Sequence, residues 1–303
     1  MTMNNRRPMA CMAGMAAMAL AFALMPTAHA QADVVFHEGD GTSFEIADIQ
    51  IYNQHKAEFD TFTKSMGAMP PLLNQWFGTA APPIFHFRIT HGGCGIGISS
   101  TTITVGDTCL INKWTADAQQ WPRETSFFFL GYAIFIPVTG GWPYEAWSDP
   151  LFKVIQTDLT RQLDGSAAAA QIESQVDTDA KKKKYQFYRN LKETQGWPLF
   201  QEVLRLMKAE GIDLAKIGGD PSPVRYAYIY AYLSLAGMKK MGNAAHDMGV
   251  ADVDNAKVMD VLRARALLLN ADRKGKAPPE AWTAYKTGKY ADVRALLPAM
   301  GLP

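Results

Sequence analysis

Between Ile51 and Met66 the side chains Ile51, Phe59, Phe62 and Met66 recur near helical spacing, with His55 in register, which predicts a helix. Pro70-Pro71 and Pro82-Pro83 punctuate the next stretch of chain. Ile84 to Ile89 alternates as a strand does, and Thr101 to Val105 is β-branched throughout. Gly106-Asp107 before Thr108-Cys109-Leu110-Ile111 suits a tight hairpin turn. From Thr115 onward the period changes to that of helices. Asp149-Pro150 is a cap followed by proline at the first helical position, and Leu151, Ile155, Leu159 and Leu163 form a stripe that stops before Gly165. A second helix carries Pro198 near its start, then Phe200, Val203, Leu204 and Met207, and ends at Gly211. Val224 to Met241, Val253 to Asn270 and the short stretch Tyr290 to Met300 predict three more. The pattern predicts an α+β protein: a small β-containing N-terminal part with a hairpin over 31–114, then a mainly helical part over 115–303, the two forming one compact unit.

The N-terminus changes the composition. Residues 1–30 carry Arg6 and Arg7, an Ala/Met/Leu run from Met9 to Met25 and the ending Ala28-His29-Ala30. A basic start, a short apolar run and an Ala-x-Ala ending are the marks of a secretory signal peptide cut after Ala30. The whole chain has 303 residues, 30 Lys+Arg and 29 Asp+Glu, a formal charge of +1. Without residues 1–30 it has 273 residues, 28 basic and 29 acidic, a charge of −1. A near-neutral chain without a basic stripe argues against nucleic acid as a partner. Seven of the 15 methionines and Cys11 leave with the leader, so a Met-rich copper-handling reading goes with them. No later apolar run is long enough to span a membrane. The expected location is therefore periplasmic or secreted.

Two cysteines remain, Cys94 in His91-Gly-Gly-Cys94-Gly and Cys109 in Gly-Asp-Thr-Cys109. In an oxidising compartment an even pair is most simply a disulfide. Closing a loop of about 15 residues is worth roughly 3 kcal/mol in the chain-entropy account. The alternative is metal binding with His86 and His91, or Cys94 as a nucleophile beside His91. Five residues apart on one regular strand, His86 and His91 face opposite sides. No metal or cofactor is expected. The sequence has no Gly-x-Ser-x-Gly elbow, no phosphate-binding glycine loop and no His-x-x-x-His pair after residue 30. The Lys181–Lys184 run reads as a solvated helix face after the acids Glu173, Asp177 and Asp179. Tyr226, Tyr228, Tyr230 and Tyr232 alternate, but on a helix such residues cannot share one face. They read as packing residues with hydroxyls at the rim.

One stretch resembles a known family. Phe128-Phe129-Leu130-Gly131-Tyr132 is similar to the His-Glu-Leu-Gly-His pentad of gluzincin-type, thermolysin-like zinc metallopeptidases. In those enzymes two His at i and i+4 grip Zn²⁺ and the Glu activates its water. All three chemical residues are replaced here. Ala146-Trp147-Ser148-Asp149-Pro150-Leu151 resembles their Trp-x-x-Glu-Gly segment, with Asp149 near the third-ligand position. The strand beginning at Thr101 stands where their substrate-binding edge strand would, and Gln195 to Phe200 with the helix after it looks like their helical subdomain. The resemblance covers about residues 84–240. It implies a zincin-like architecture with a degenerate, metal-less motif, and no zinc role passes to any residue.

The functional expectation is a non-catalytic exported binding protein, pseudo-peptidase-like, whose partner is a peptide, a polymer or an envelope component. The residues lean away from an enzyme. The alternatives are a hydrolase using carboxylates or histidines, and a structural, envelope-associated protein. For a hydrolase the candidates are Glu145 and Asp149, four apart around Trp147, or His86, His91 and Glu124 gathered by the fold. Paired carboxylates act as acid and base only at the right separation in a cleft, which spacing in sequence does not establish.

Overall fold

The computed structural model describes residues 34–37, 43–46, 49–57, 60, 64, 68–78, 86–90, 96–99, 102–106, 149–176, 179–217, 223–237 and 255–297. Among the described residues five short strands form one sheet: β1 (Val34–His37), β2 (Ser43–Ile46), β3 (His86–Thr90), β4 (Ile96–Ser99) and β5 (Thr102–Gly106). Their order is β1-β2-β3-β5-β4. The two central pairings, β2 with β3 and β3 with β5, are parallel, and both outer pairings are antiparallel.

β5 therefore has a neighbour on each side. Val105 lies opposite Ile89 of β3 and opposite Ile96 of β4. The turn expected at Gly106-Asp107 and the segment Thr108–Ile111 after it lie outside the described residues from Asp107 on. A hairpin is formed by β4 and β5, with two residues joining the strands and Ser99 opposite Thr102. Among the described strands β4 is outermost at this end of the sheet, and β5, the strand expected as an edge, is interior.

The other described elements are helices: α1 (Ile49–Gln54), α2 (Met69–Phe77), α3 (Asp149–Leu163), α4 (Ser166–Ser174), α5 (Asp179–Gln195), α6 (Trp197–Glu210), α7 (Pro223–Gly237), α8 (Asn255–Arg273), α9 (Pro279–Lys286) and α10 (Tyr290–Leu296). A 3₁₀ turn, Leu214–Lys216, follows α6, and Asp213 caps it by accepting from the Ala215 N–H at 3.0 Å. Among the described residues, helical positions outnumber strand positions several-fold, and the described core lies on helices and the turns between them. The described part is mainly helical in class. The α+β expectation is corrected accordingly, and with it the zincin-like architecture attached to it. The physical reason is that several helices carry no long apolar stripe. α4 is Ala-rich, α5 opens on four lysines, and α2 begins with Pro70-Pro71, which occupies the first helical positions instead of breaking a helix.

Packing follows the order of the chain. α3 packs on α4 and α5, α6 on α2, α5 and α7, α7 on α8, and α8 on α9 and α10. α6 ends in a Schellman arrangement: Gly211 adopts φ 64°, its N–H donates to the Lys208 carbonyl, and the Ile212 N–H reaches back to the Met207 carbonyl at 2.9 Å. Ile212 is thereby turned into the core, where it is buried with Met207 and Leu214.

α3 and α7 are the two helices buried on every side. From Pro150 to Thr160, α3 has no exposed position, and Arg225 to Leu233 of α7 are all buried. Tyr226, Tyr228, Tyr230 and Tyr232 thus point to different sides of α7, as their spacing requires, yet none has its ring at a rim. Both sides are core. The placement of the hydroxyls is corrected, and the packing role stands.

Candidate functional site

Of the sequence candidates, only His86 and Asp149 fall among the described residues. His86 opens β3, opposite Ser43 of β2 and Thr102 of β5, and Asp149 is the first residue of α3. His91, Cys94, Cys109, Glu124, Glu145, residues 1–30 and the Phe128–Tyr132 pentad lie outside the described residues. Lys182 and Lys183 on the first turns of α5 are exposed, as a solvated face requires. Among the described residues no group of three or more His, Cys, Asp or Glu side chains could hold a metal ion, and no helix is long and apolar enough to cross a membrane.

The polar chemistry concentrates on α3. The stripe of Leu151, Ile155 and Leu159 faces the core as its spacing predicts, but Gln156, Thr157, Asp158 and Thr160 are buried as well. Burying a carboxylate is costly unless it is paired and hydrogen-bonded. Asp158 meets this condition twice over: Arg161 holds Oδ1 from one turn on, and Lys192 of α5 holds Oδ2. Arg161 also donates to Glu173 Oε1 on α4 at 2.9 Å, and Arg189 of α5 approaches the same oxygen at 3.2 Å. Arg189 Nε in turn donates to Glu193 at 2.8 Å. One alternating network of three acids and three bases therefore ties α3, α4 and α5 together.

Tyr185 closes the network on its buried side. Its hydroxyl lies 3.3 Å from Thr157 Oγ1 and 3.4 Å from Glu173 Oε1, and burial pushes the phenol above its ordinary range. Thr157 donates to the Lys153 carbonyl at 2.7 Å, so its own hydroxyl hydrogen is used within the helix. Lys192 extends the network toward the aromatic cluster, with its ammonium 5.8 Å from the centre of the Trp197 ring. Trp197 stacks on Trp76 of α2 at 4.7 Å and 13°, with Phe77 and Phe200 against its other sides.

A second network joins α6, α7, α8 and α9. Arg265 Nε lies 2.9 and 3.0 Å from the two carboxylate oxygens of Glu210, and Tyr232 donates to the same carboxylate at 2.5 Å. The Tyr232 and Tyr285 hydroxyls are 3.3 Å apart, and Tyr228 donates to the Tyr285 carbonyl. Burial raises all three phenols far above their ordinary range, so each is a neutral donor here.

The geometry assigns these carboxylates to holding helices. Asp158, Glu173 and Glu210 each face at least one guanidinium or ammonium, and a paired carboxylate accepts but does not donate. Sequence reasoning passed over Asp158, Glu173, Glu210 and Arg265. The available signal was the polar run Gln156-Thr157-Asp158 inside an apolar stripe, together with Asp158 and Arg161 three apart. The partner positions, 12 to 55 residues away, leave no mark in local spacing. No family model, curated protein or solved structure matches the chain.

Proposed function

We propose that this chain is an exported, non-catalytic binding protein: a helical scaffold that presents its surface to a peptide, a polymer or an envelope component. The observation that carries the reading is the use made of the buried acids. Asp158 and Glu173 are spent on fixing α3, α4 and α5, and Glu210 on fixing α6 against α8. Carboxylates locked to cations in this way add rigidity and position, which a binding surface needs and an acid–base pair does not. The sequence adds an Ala-x-Ala ending at Ala30 that fits export to the periplasm or beyond.

The test uses the exported chain. Incubated with envelope peptides and polymers, it should retain a ligand that mass spectrometry recovers unaltered. Turnover of that ligand, or a stoichiometric zinc that survives dialysis, would replace this reading with a hydrolase using His86, His91 or the carboxylates. Thiol titration of the denatured exported chain should find Cys94 and Cys109 both blocked, as a disulfide requires. Two free thiols would refute the bridge.

A further inference from the structure

α9 and α10 meet across an open groove of about 390 Å³, within the size range of small-molecule sites. Glu280, Thr283, Ala284 and Thr287 line it from one face of α9, at the i, i+3, i+4 and i+7 positions. Lys289, just before α10, and Asp292 within it form the other wall. The walls are tied together, because the Gly288 N–H donates to the Tyr285 carbonyl at 3.1 Å and the Lys289 N–H to the Ala284 carbonyl at 2.8 Å. Thr283 donates its hydroxyl hydrogen to the Pro279 carbonyl at 3.0 Å, and Thr287 to the Thr283 carbonyl at 2.9 Å. Toward the groove both hydroxyls therefore offer lone pairs only. Glu280, Lys289 and Asp292 are exposed, and among the described residues their side chains have no ion-pair or hydrogen-bond partner. The helix-fixing networks take up none of these three charges.

We propose that this groove binds a free diamino acid, with its two ammonium groups against Glu280 and Asp292 and its carboxylate against Lys289. The assignment follows from charge matching. Two carboxylates repel an anion, and the ammonium beside them repels a metal ion. A simple diamine would leave Lys289 facing like charge, and a monoamino acid would leave one carboxylate unmatched. A ligand with two ammonium groups and one carboxylate matches all three. Each ammonium carries three N–H donors, and the Thr283 and Thr287 oxygens take those that the carboxylates do not use. Ala284, buried at its own site, gives the aliphatic stem of the ligand an apolar surface. This site goes beyond the peptide, polymer or envelope partner above and does not depend on it.

The experiment titrates the exported chain at low salt with lysine, with 1,5-diaminopentane, which lacks the carboxylate, and with norleucine, which lacks the second ammonium. The methyl resonances of Thr283 and Thr287 report occupancy. Exposed charge pairs are individually weak and screened by salt, so lysine should bind in the millimolar range and lose affinity as salt rises. It should bind more tightly than either analogue, by about threefold or more. Glu280→Gln and Asp292→Asn should each weaken lysine binding about three- to fivefold. Lys289→Met should reverse the preference, so that 1,5-diaminopentane binds more tightly than lysine. All three substituted side chains are exposed, and circular dichroism checks that each variant keeps the fold. Failure of lysine to move the two methyl resonances would overturn the inference. So would equal affinity for lysine and norleucine, or a folded Lys289→Met chain that still prefers lysine.

Discussion

Arg265 on α8 sets its guanidinium against both carboxylate oxygens of Glu210, at the end of α6 and 55 residues earlier. The side chains are 16% and 10% exposed, so the pair is largely out of water. Removing one partner leaves the other charge buried, which is the costly way to break such a pair. Arg265→Met should lower stability by about 3 kcal/mol in urea unfolding. The double variant Arg265→Met with Glu210→Leu should recover most of that loss. Equal loss in both would place the effect in packing and leave none for the stranded carboxylate.

The buried tyrosines predict a steep alkaline limit. Burial raises Tyr228, Tyr230, Tyr232 and Tyr285 above their ordinary range near 10, so the folded state holds protons that the unfolded state releases. A raised folded value gives stability that is complete below about pH 10 and declines as pH rises beyond it. Each such tyrosine removes about 1.4 kcal/mol per pH unit there. Tyrosinate absorbance followed alongside circular dichroism should show these phenols ionising together with unfolding. Free titration near 10 in a folded chain would contradict their placement.

Asp158 is the shared acceptor of Arg161 and Lys192. Asp158→Ala should cost about 2–3 kcal/mol, because it releases α5 from α3 and leaves Lys192 half-buried without its acid. Glu193→Ala, at the exposed end of the same network, should cost less than about 1 kcal/mol. Urea midpoints of the two variants are sufficient to rank them.

Two glycines at positive φ give a paired test of local space. An alanine at Gly288, φ 84°, would set its Cβ 3.0 Å from Ile217 Cγ2 and 3.3 Å from Val224 Cγ1. At Gly78, φ 63°, the obstacle is the amide end of Gln201, which can swing away. Backbone strain of about 1–3 kcal/mol applies at each positive φ, and overpacking by atoms that cannot swing away is added only at Gly288. Gly288→Ala should therefore be the more destabilising, by about 1 kcal/mol or more. Gly78→Ala combined with Gln201→Ala should approach the cost of strain alone.

The helices with strong apolar stripes were legible in the sequence. Leu151, Ile155, Leu159 and Leu163 delimit α3, and Phe200 to Met207 with Gly211 delimit α6, because burial on one face writes itself at three- and four-residue intervals. α7 was legible as a helix, but the burial of its tyrosines was not, since a helix buried all round leaves no polar face to give its direction. α4 and α9 were missed because alanine and proline carry little periodic signal. The strands β3 and β5 were readable from alternation and β-branching. Their partners were not, because a parallel pairing such as β3 with β5 joins segments that local turn chemistry does not connect. The pairing of Asp158 with Lys192 and of Glu210 with Arg265 depends on how helices meet, which a single helix's spacing does not encode.

The stack of Trp76 on Trp197 also bears on the order in which the chain can fold. Its two rings come from opposite sides of the long segment between α2 and α6, so the contact closes a large loop whose entropy must be met before the stack contributes anything. α6 gains its other neighbours locally, from α5 just before it and α7 just after. The C-terminal helices can therefore assemble first and offer Trp197, already braced by Phe200, as a platform onto which α2 docks late. The indole pair becomes a clock for the final step: its burial should lag the gain of helical signal during refolding.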